Sequence, residues 1–370
     1  MPFPVPGWMW DRELGLDLYR RRMRYIHGVD ELGFDGIIFT EHHYGPNGGL
    51  TPSPHIALAA ASQVTERIKL ITMGTILAAH AHPVRVAEEV AMLDNLCEGR
   101  HIVGFISGNT QSHYAYSIPP EHARGMHEEA FELIKRAWTD ENPFEWHGVH
   151  YNYDCVSIMP RPYQTPHPPV WTTARAVESI EWAARNHVGL IATGATEHAK
   201  RALDYYRNYA VKECGWEPTK ADLGVAREIV LMPTKEEALK HAERLYVRER
   251  EEAYEPVFEP RQLAELGAGR YTQHSYEYLA DDGNTEKFVQ DSYMAMRREL
   301  IGRDFEDLKK NGQYIVGDAE MAAEQMMRQL EECDADVMIV QPEQGSRALE
   351  DILVNWSIFA EKSLPAFQAA

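Results

Sequence analysis

Positive charge is scarce in this chain of 370 residues. Lysine and arginine number 37 against 57 aspartates and glutamates, a formal net charge of -20 at pH 7. A field of that sign repels phosphate backbones and anionic lipid surfaces, so neither nucleic acid nor a membrane is expected as a partner. Cysteine is scarcer still. Cys97, Cys155, Cys214 and Cys333 lie far apart and form no C-x-x-C pair, which argues against a disulfide framework or a zinc ribbon and for packed thiols in a reducing cytosol. Long apolar runs are missing as well. No stretch reaches the length of a membrane span, and the opening MPFPVPGWMWDRE carries neither the basic segment nor the apolar core of a secretion signal. A soluble, cytoplasmic protein is the expectation.

What is present is an alternation. Apolar runs rich in β-branched residues follow helical patterns, the order of β/α units around a parallel sheet. LDLYRRRMRYIHGVDELGF has helical spacing to Gly33 and precedes DGIIFTE. TPSPHIALAAASQVTE precedes RIKLITMGTIL, and HPVRVAEEVAMLDNLCEG precedes RHIVGFISG, with Pro52 and Pro83 near the two helix starts. PVWTTA, GLIATG, LGVAREIVLM and DVMIVQP complete seven strands. An eighth would close a barrel, and its place is the N-terminus, where proline-rich MPFPVP gives at most an abbreviated first strand. FEWHGVHYNYDCVSI reads as an inserted hairpin turning at Gly148, and residues 250–312 as a charged, Tyr-rich helical insertion that serves as a lid or a subunit contact.

In such a barrel, chemistry gathers at the C-terminal strand ends. Glu41, His42 and His43 stand at one of them, directly after GIIFT. Strand alternation lets one imidazole face the mouth and move protons near neutral pH while the other packs outward; the plainer reading makes both structural. His80 and His82 in AAHAHP have the His-x-His form of a metal site, yet a zinc centre needs further ligands, and a helix entrance before Pro83 explains them equally. A third set suits an anion. FISGNTQ brings Ser107 and Gly108 to a strand end, Arg124 opens a helix, and TTARAVESIEWAA sets Arg175, Ala176 and Ser179 at a helix start. The competing reading pairs both arginines with some of the many carboxylates.

LGFDGIIFTEHHY, TERIKLITMGTILAAHAHPVRVAEEVAMLDNLCEGRHIVGFISG and PPVWTTARAVESIEWAARN together resemble the bacterial luciferase-like family of flavin-dependent monooxygenases. The likeness runs from about residue 15 to about 235 and resumes at YIVGDAEMAAEQMMRQLEECDADVMIVQP and FAEKSLPAF. It implies a single α/β domain over residues 1–370, a TIM-type (β/α)8 barrel with an insertion before the last strand. FMN is the implied cofactor, reduced by a separate flavin reductase. Its reaction with O2 to a peroxyflavin would insert one oxygen atom into a small apolar aldehyde, ketone or similar substrate. His42 matches the family's acid–base histidine, with Glu41 and His43 its neighbours. Gly74 and Thr75 match a non-proline peptide, often cis, beneath the flavin ring. Arg124 and the Arg175–Ser179 segment match phosphate positions. Ser107 stands where the family can carry arginine, and Ala176 where it often has serine. Trp8, Trp10 and Tyr44 would line the entrance. The resemblance also implies a homodimer. A deazaflavin-dependent dehydrogenase and a non-catalytic flavin-binding protein remain alternatives.

Overall fold

A computed structural model describes residues 12–43, 51–108, 112–113, 116–174, 176–252, 305–342 and 349–368. The MPFPVP strand, Trp8, Trp10, Tyr44, Arg175 and the insertion between 253 and 304 lie outside the described residues. Helix α1 (Arg12–Glu31) stops just before Gly33, whose φ of +91° turns the chain into β1 (Gly36–Phe39). Then come α2 (Pro54–Ser62), β2 (Lys69–Thr72), β3 (Thr75–Ile76), α3 (Pro83–Leu96), β4 (His101–Ile106) and α4 (Pro120–Thr139). A hairpin of β5 (Phe144–His147) and β6 (Asn152–Val156) precedes β7 (Val170–Thr173), α5 (Val177–Arg185), β8 (Gly189–Ala192), α6 (Thr196–Tyr209), β9 (Leu223–Leu231) and α7 (Lys235–Glu252). The chain ends with α8 (Phe305–Lys310), β10 (Tyr314–Gly317), α9 (Ala319–Cys333), β11 (Val337–Pro342), α10 (Leu349–Lys362) and α11 (Leu364–Gln368).

Each of the seven strands expected from GIIF to VMIVQP forms. β1, β2, β4, β7, β8 and β9 pair in that order, β11 pairs along the far side of β9, and all these pairings are parallel. β3 carries the β2 segment onward against β4. The result is the arc of a TIM-type barrel with its helices outside. β10 was not expected: its four residues take the upper half of β9, from Tyr314 opposite Glu228 to Gly317 opposite Leu231, where β8 has already ended.

Strand alternation sorts the apolar residues into two faces. Ile38, Ile71, Met73, Ile102, Trp171, Ile191, Ala226, Val337 and Ile339 meet inside the ring. Their neighbours in sequence, such as Leu70, Val103, Leu190 and Val225, pack outward among the helices. Burying a side chain like Leu70 or Leu190 fully contributes about 1.5–3 kcal/mol, so a one-residue slip of any strand would forfeit several such terms.

Three local readings need correction. Pro54, not Pro52, fills the first turn of α2, behind a Ser53 cap. Arg124 does not open its helix but sits in the second turn of α4, which begins at Pro120. Cys97 and Cys333 are packed thiols, yet Cys155 on β6 is exposed.

The expected hairpin is present, and α4 holds it. The carboxylate of Glu129 accepts from the Trp146 indole at 3.1 Å and from the amides of His150 at 2.8 Å and Tyr151 at 3.0 Å. Partial burial raises its pKa, but these three donors bring it below the ordinary value.

Candidate active site

β1 and β2 run side by side, Phe39 opposite Thr72, and the chain beyond each end builds the first part of the site. Past β1 come Glu41, His42 and His43; past β2 comes a cis peptide, between Met73 and Gly74 and so one bond before the expected Gly74–Thr75, and then β3. Gly74 faces Gly104 on β4 so closely that a Cβ on Gly74 would lie 2.8 Å from the Gly104 carbonyl oxygen. Thr72 Oγ1 accepts from the Gly104 amide at 2.7 Å, which fixes the two backbones together.

Glu41 is buried and fully engaged. Oε1 accepts from His43 Nε2 at 2.8 Å, Oε2 accepts from the Ile76 amide at 3.1 Å, and His80 Nε2 lies 3.5 Å from Oε2. Burial alone would raise its pKa; the hydrogen bond from His43, the nearby His80 ring and the Ile76 amide outweigh that and hold it at about 2. Because the unfolded chain binds this proton more readily, the resulting stability is complete above the ordinary value of 4.5 and fades as pH falls toward 2. That difference corresponds to roughly 3 kcal/mol. Glu41→Gln is therefore expected to lower the urea midpoint at pH 7 and to lose less stability than the parent between pH 5 and pH 3. Equal slopes in the two proteins would contradict this account.

His42 differs from its neighbours. Its backbone amide donates to the Thr51 carbonyl at 3.1 Å, while its half-buried ring has no hydrogen-bond partner among the described residues. It follows β1, three residues past Phe39. Burial lowers its pKa, the neighbouring His43 lowers it further, and Glu41 opposes both. At neutral pH it is an uncharged imidazole.

Behind this layer the side chain of Thr75 is buried against His55, Oγ1 to Nε2 at 3.4 Å. His55 is held neutral, at about 3, by burial and by the nearby His101. His80 turns to Glu41, whereas His82 precedes α3 with its Nδ1 3.4 Å from the Tyr153 hydroxyl. The two do not converge, and among the described residues no group of three or more His, Cys, Asp or Glu could hold a metal.

The anion candidates form a second part. Ser107 is exposed just past β4, and its carbonyl accepts from His113 Nε2 at 2.8 Å. Gly108 follows with φ +86°. Ala176 caps α5 without a side-chain bond, leaving first-turn amides open, and Ser179 lies half-buried in that turn with its amide on the Ala176 carbonyl. Arg124 meets Glu178 of the same turn at 3.7 Å, with both side chains more than half exposed. Such a pair is weak enough for an anion to displace.

Three features escaped the sequence reading. The Tyr116 hydroxyl lies 3.0 Å from Nδ1 of His43, a contact 73 residues apart that no local pattern signals. Gly104 was detectable as a lone glycine inside an apolar strand, a mark of close backbone approach. Glu228 and Gln341 stand in register on β9 and β11, on the inner face with Ala226 and Ile339, so the lining is not wholly apolar.

A family model described as luciferase-like monooxygenase matches residues 8–336. An uncharacterized protein, y4wF, from Sinorhizobium fredii is 31% identical over 221 residues, which cover 60% of this chain and 64% of that protein. The alkanal monooxygenase beta chain of Photorhabdus luminescens is 32% identical over 166 residues, 44% of this chain and 50% of that one. The chain thus spans about half to two thirds of the length of these curated relatives. Among solved structures, the oxygenating constituent of 3,6-diketocamphane monooxygenase of Pseudomonas putida, a type II Baeyer-Villiger monooxygenase in complex with FMN, superposes with a TM-score of 0.71. It shares 19% identity and covers 98% of this chain and 96% of that one.

Proposed function

This chain belongs to the luciferase-like monooxygenase family, and from that premise we propose that it is the oxygenase component of a two-component system. Reduced FMN from a separate flavin reductase and O2 would serve to insert one oxygen atom into a small aldehyde, ketone or similar apolar substrate. The protein would work as a cytoplasmic homodimer, with the 250–312 insertion as lid or subunit contact. One observation carries the reading: a half-buried imidazole at His42 just past the end of β1, with the close Gly74–Gly104 backbone approach just past the adjoining end of β2.

The residues fit FMN. The first-turn amides of α5, Ser179 and Arg124 would hold the phosphate, and the apolar inner face, with the main chain at Gly74, would hold the ring. Bound in its reduced form, FMN supplies the electrons that activate O2. The chain's own part is narrower. Ile38, Met73, Ile102 and Trp171 keep water from the mouth, and a ring nitrogen of His42 takes a proton or returns it. Glu41 and His43, paired with each other, fix the chain on either side of it.

Oxygen dependence tests the proposal. With chemically reduced FMN and n-decanal or a cyclic ketone, product is expected only under air, with one 18O atom taken from 18O2. Product formed anaerobically would overturn it and point to hydride transfer with a deazaflavin. Tight FMN binding without turnover of any carbonyl substrate would leave a flavin-binding protein.

A further inference from the structure

Two of the three groups at the end of β1 cannot reach a substrate themselves. The side chains of Glu41 and His43 are 2% and 6% exposed. Tyr116 links them to the surface: it is 43% exposed, and its hydroxyl lies 3.0 Å from Nδ1 of His43, the rings edge-on at 4.5 Å. Hydrogen placement follows from the partners. An ionised carboxylate only accepts, so His43 carries its hydrogen on Nε2, facing Glu41 at 2.8 Å. The neutral ring then presents Nδ1 as an acceptor, and the phenol donates to it. Carboxylate, imidazole and hydroxyl in line are the arrangement by which serine hydrolases aim and activate a hydroxyl.

We propose that Tyr116 is a further acid–base group of this mouth, with His43 and Glu41 as the positioning residues behind it. The proposal rests on the monooxygenase reading only for the reaction it would serve. As a base, the Tyr116 oxygen takes a proton from a substrate X–H group, whose bonding pair stays on X. The original phenolic hydrogen passes in the same movement to Nδ1 of His43. One X–H and one O–H bond break, while one O–H and one N–H bond form; the reverse sequence returns the proton, and no co-reactant enters. The imidazolium faces Glu41, which stays ionised because its pKa is held at about 2. Among the described residues, the groups that face His43 include Glu41 and Tyr116 by hydrogen bond, His42 beside it in the chain, and His80 across the Glu41 carboxylate. This path is separate from His42, whose ring joins none of these bonds.

Nitrogen NMR of the full chain labelled with 15N-histidine, without flavin, tests the array directly, with His43→Gln assigning the signals. In the parent protein Nδ1 of His43 is expected as a hydrogen-bonded acceptor and Nε2 as the protonated nitrogen. Tyr116→Phe should move Nδ1 to the position of a free acceptor and leave Nε2 in place. An unmoved Nδ1, or a hydrogen on Nδ1 in the parent near neutral pH, overturns the array. The second measurement is turnover of n-decanal with reduced FMN under air. Tyr116→Phe is expected to lower kcat by about tenfold or more at nearly constant KM. 3-Fluorotyrosine at position 116, with its more acidic phenol, should restore the rate and move the alkaline limb of the pH profile to lower pH. Tyr116→Phe with unaltered kcat overturns the acid–base role, and so does an unshifted limb. Should no carbonyl substrate turn over at all, the monooxygenase reading fails, while the NMR comparison still decides whether Tyr116 and His43 form the array.

Discussion

Replacing His42 with alanine is expected to cut turnover of an aldehyde or ketone by roughly 10²–10⁴-fold, the usual effect of removing a positioned acid–base group, while affinity for FMN is unchanged. His43 spends both nitrogens on Glu41 and Tyr116, and His55 lies behind Thr75, so those imidazoles are committed to protein partners. Among the described residues His42 is tied by its backbone amide alone, and its ring is half-buried. Removing the ring breaks no side-chain hydrogen bond among the described residues. The pH profile adds a signed expectation. Because burial and His43 lower its pKa below 6.5, the uncharged ring persists into mildly acidic solution, so the acid limb of kcat/KM should fall below that value and vanish in the variant. Steady-state rates and a fluorescence titration of FMN check both halves. A rate unaltered by His42→Ala would remove this residue from the mechanism, and a lost FMN affinity would make it a binding residue instead.

Gly104→Ala should cost the fold roughly 3 kcal/mol, measured by urea denaturation, the upper range for overpacking a tight interior. A methyl group there would overlap the Thr72 carbonyl oxygen and come within 3.0 Å of Met73 Cα. Both obstacles are backbone of the neighbouring strand, so no side-chain rotation relieves them; β2 and β4 must separate. Separation would also stretch the bond from the Gly104 amide to Thr72 Oγ1. Gly194→Ala is the control. Nothing lies within 4 Å of a Cβ at Gly194, and only its φ of +87° opposes the change, a penalty of about 1 kcal/mol. Equal losses in the two variants would show that the packing between β2 and β4 tolerates a methyl group.

The frame of this protein was legible because it is periodic. Seven strands announced themselves through β-branched runs such as GIIF and VMIV, each fixed by a helix of regular spacing. β10 was not, since YIVG is only four residues long and takes its place from space left free on β9. Glu41, His42 and His43 could be placed at a strand end from their neighbours in the chain, but their division of labour could not. Whether a histidine faces the mouth or a carboxylate depends on partners far away in sequence, Ile76 and His80 for Glu41 and Tyr116 for His43. Sequence also made Arg124 look like the first residue of a helix, because Pro119 and Pro120 permit several starting points and the true one lies four residues earlier.

Glu129 has a mechanical consequence. It grips the hairpin from α4, the helix that also bears Arg124. Swinging the hairpin away from α4 would have to break these bonds. A displacement of the hairpin together with α4 would carry the Arg124 guanidinium with it, so the anion seat proposed above would feel any strain placed on β5 and β6.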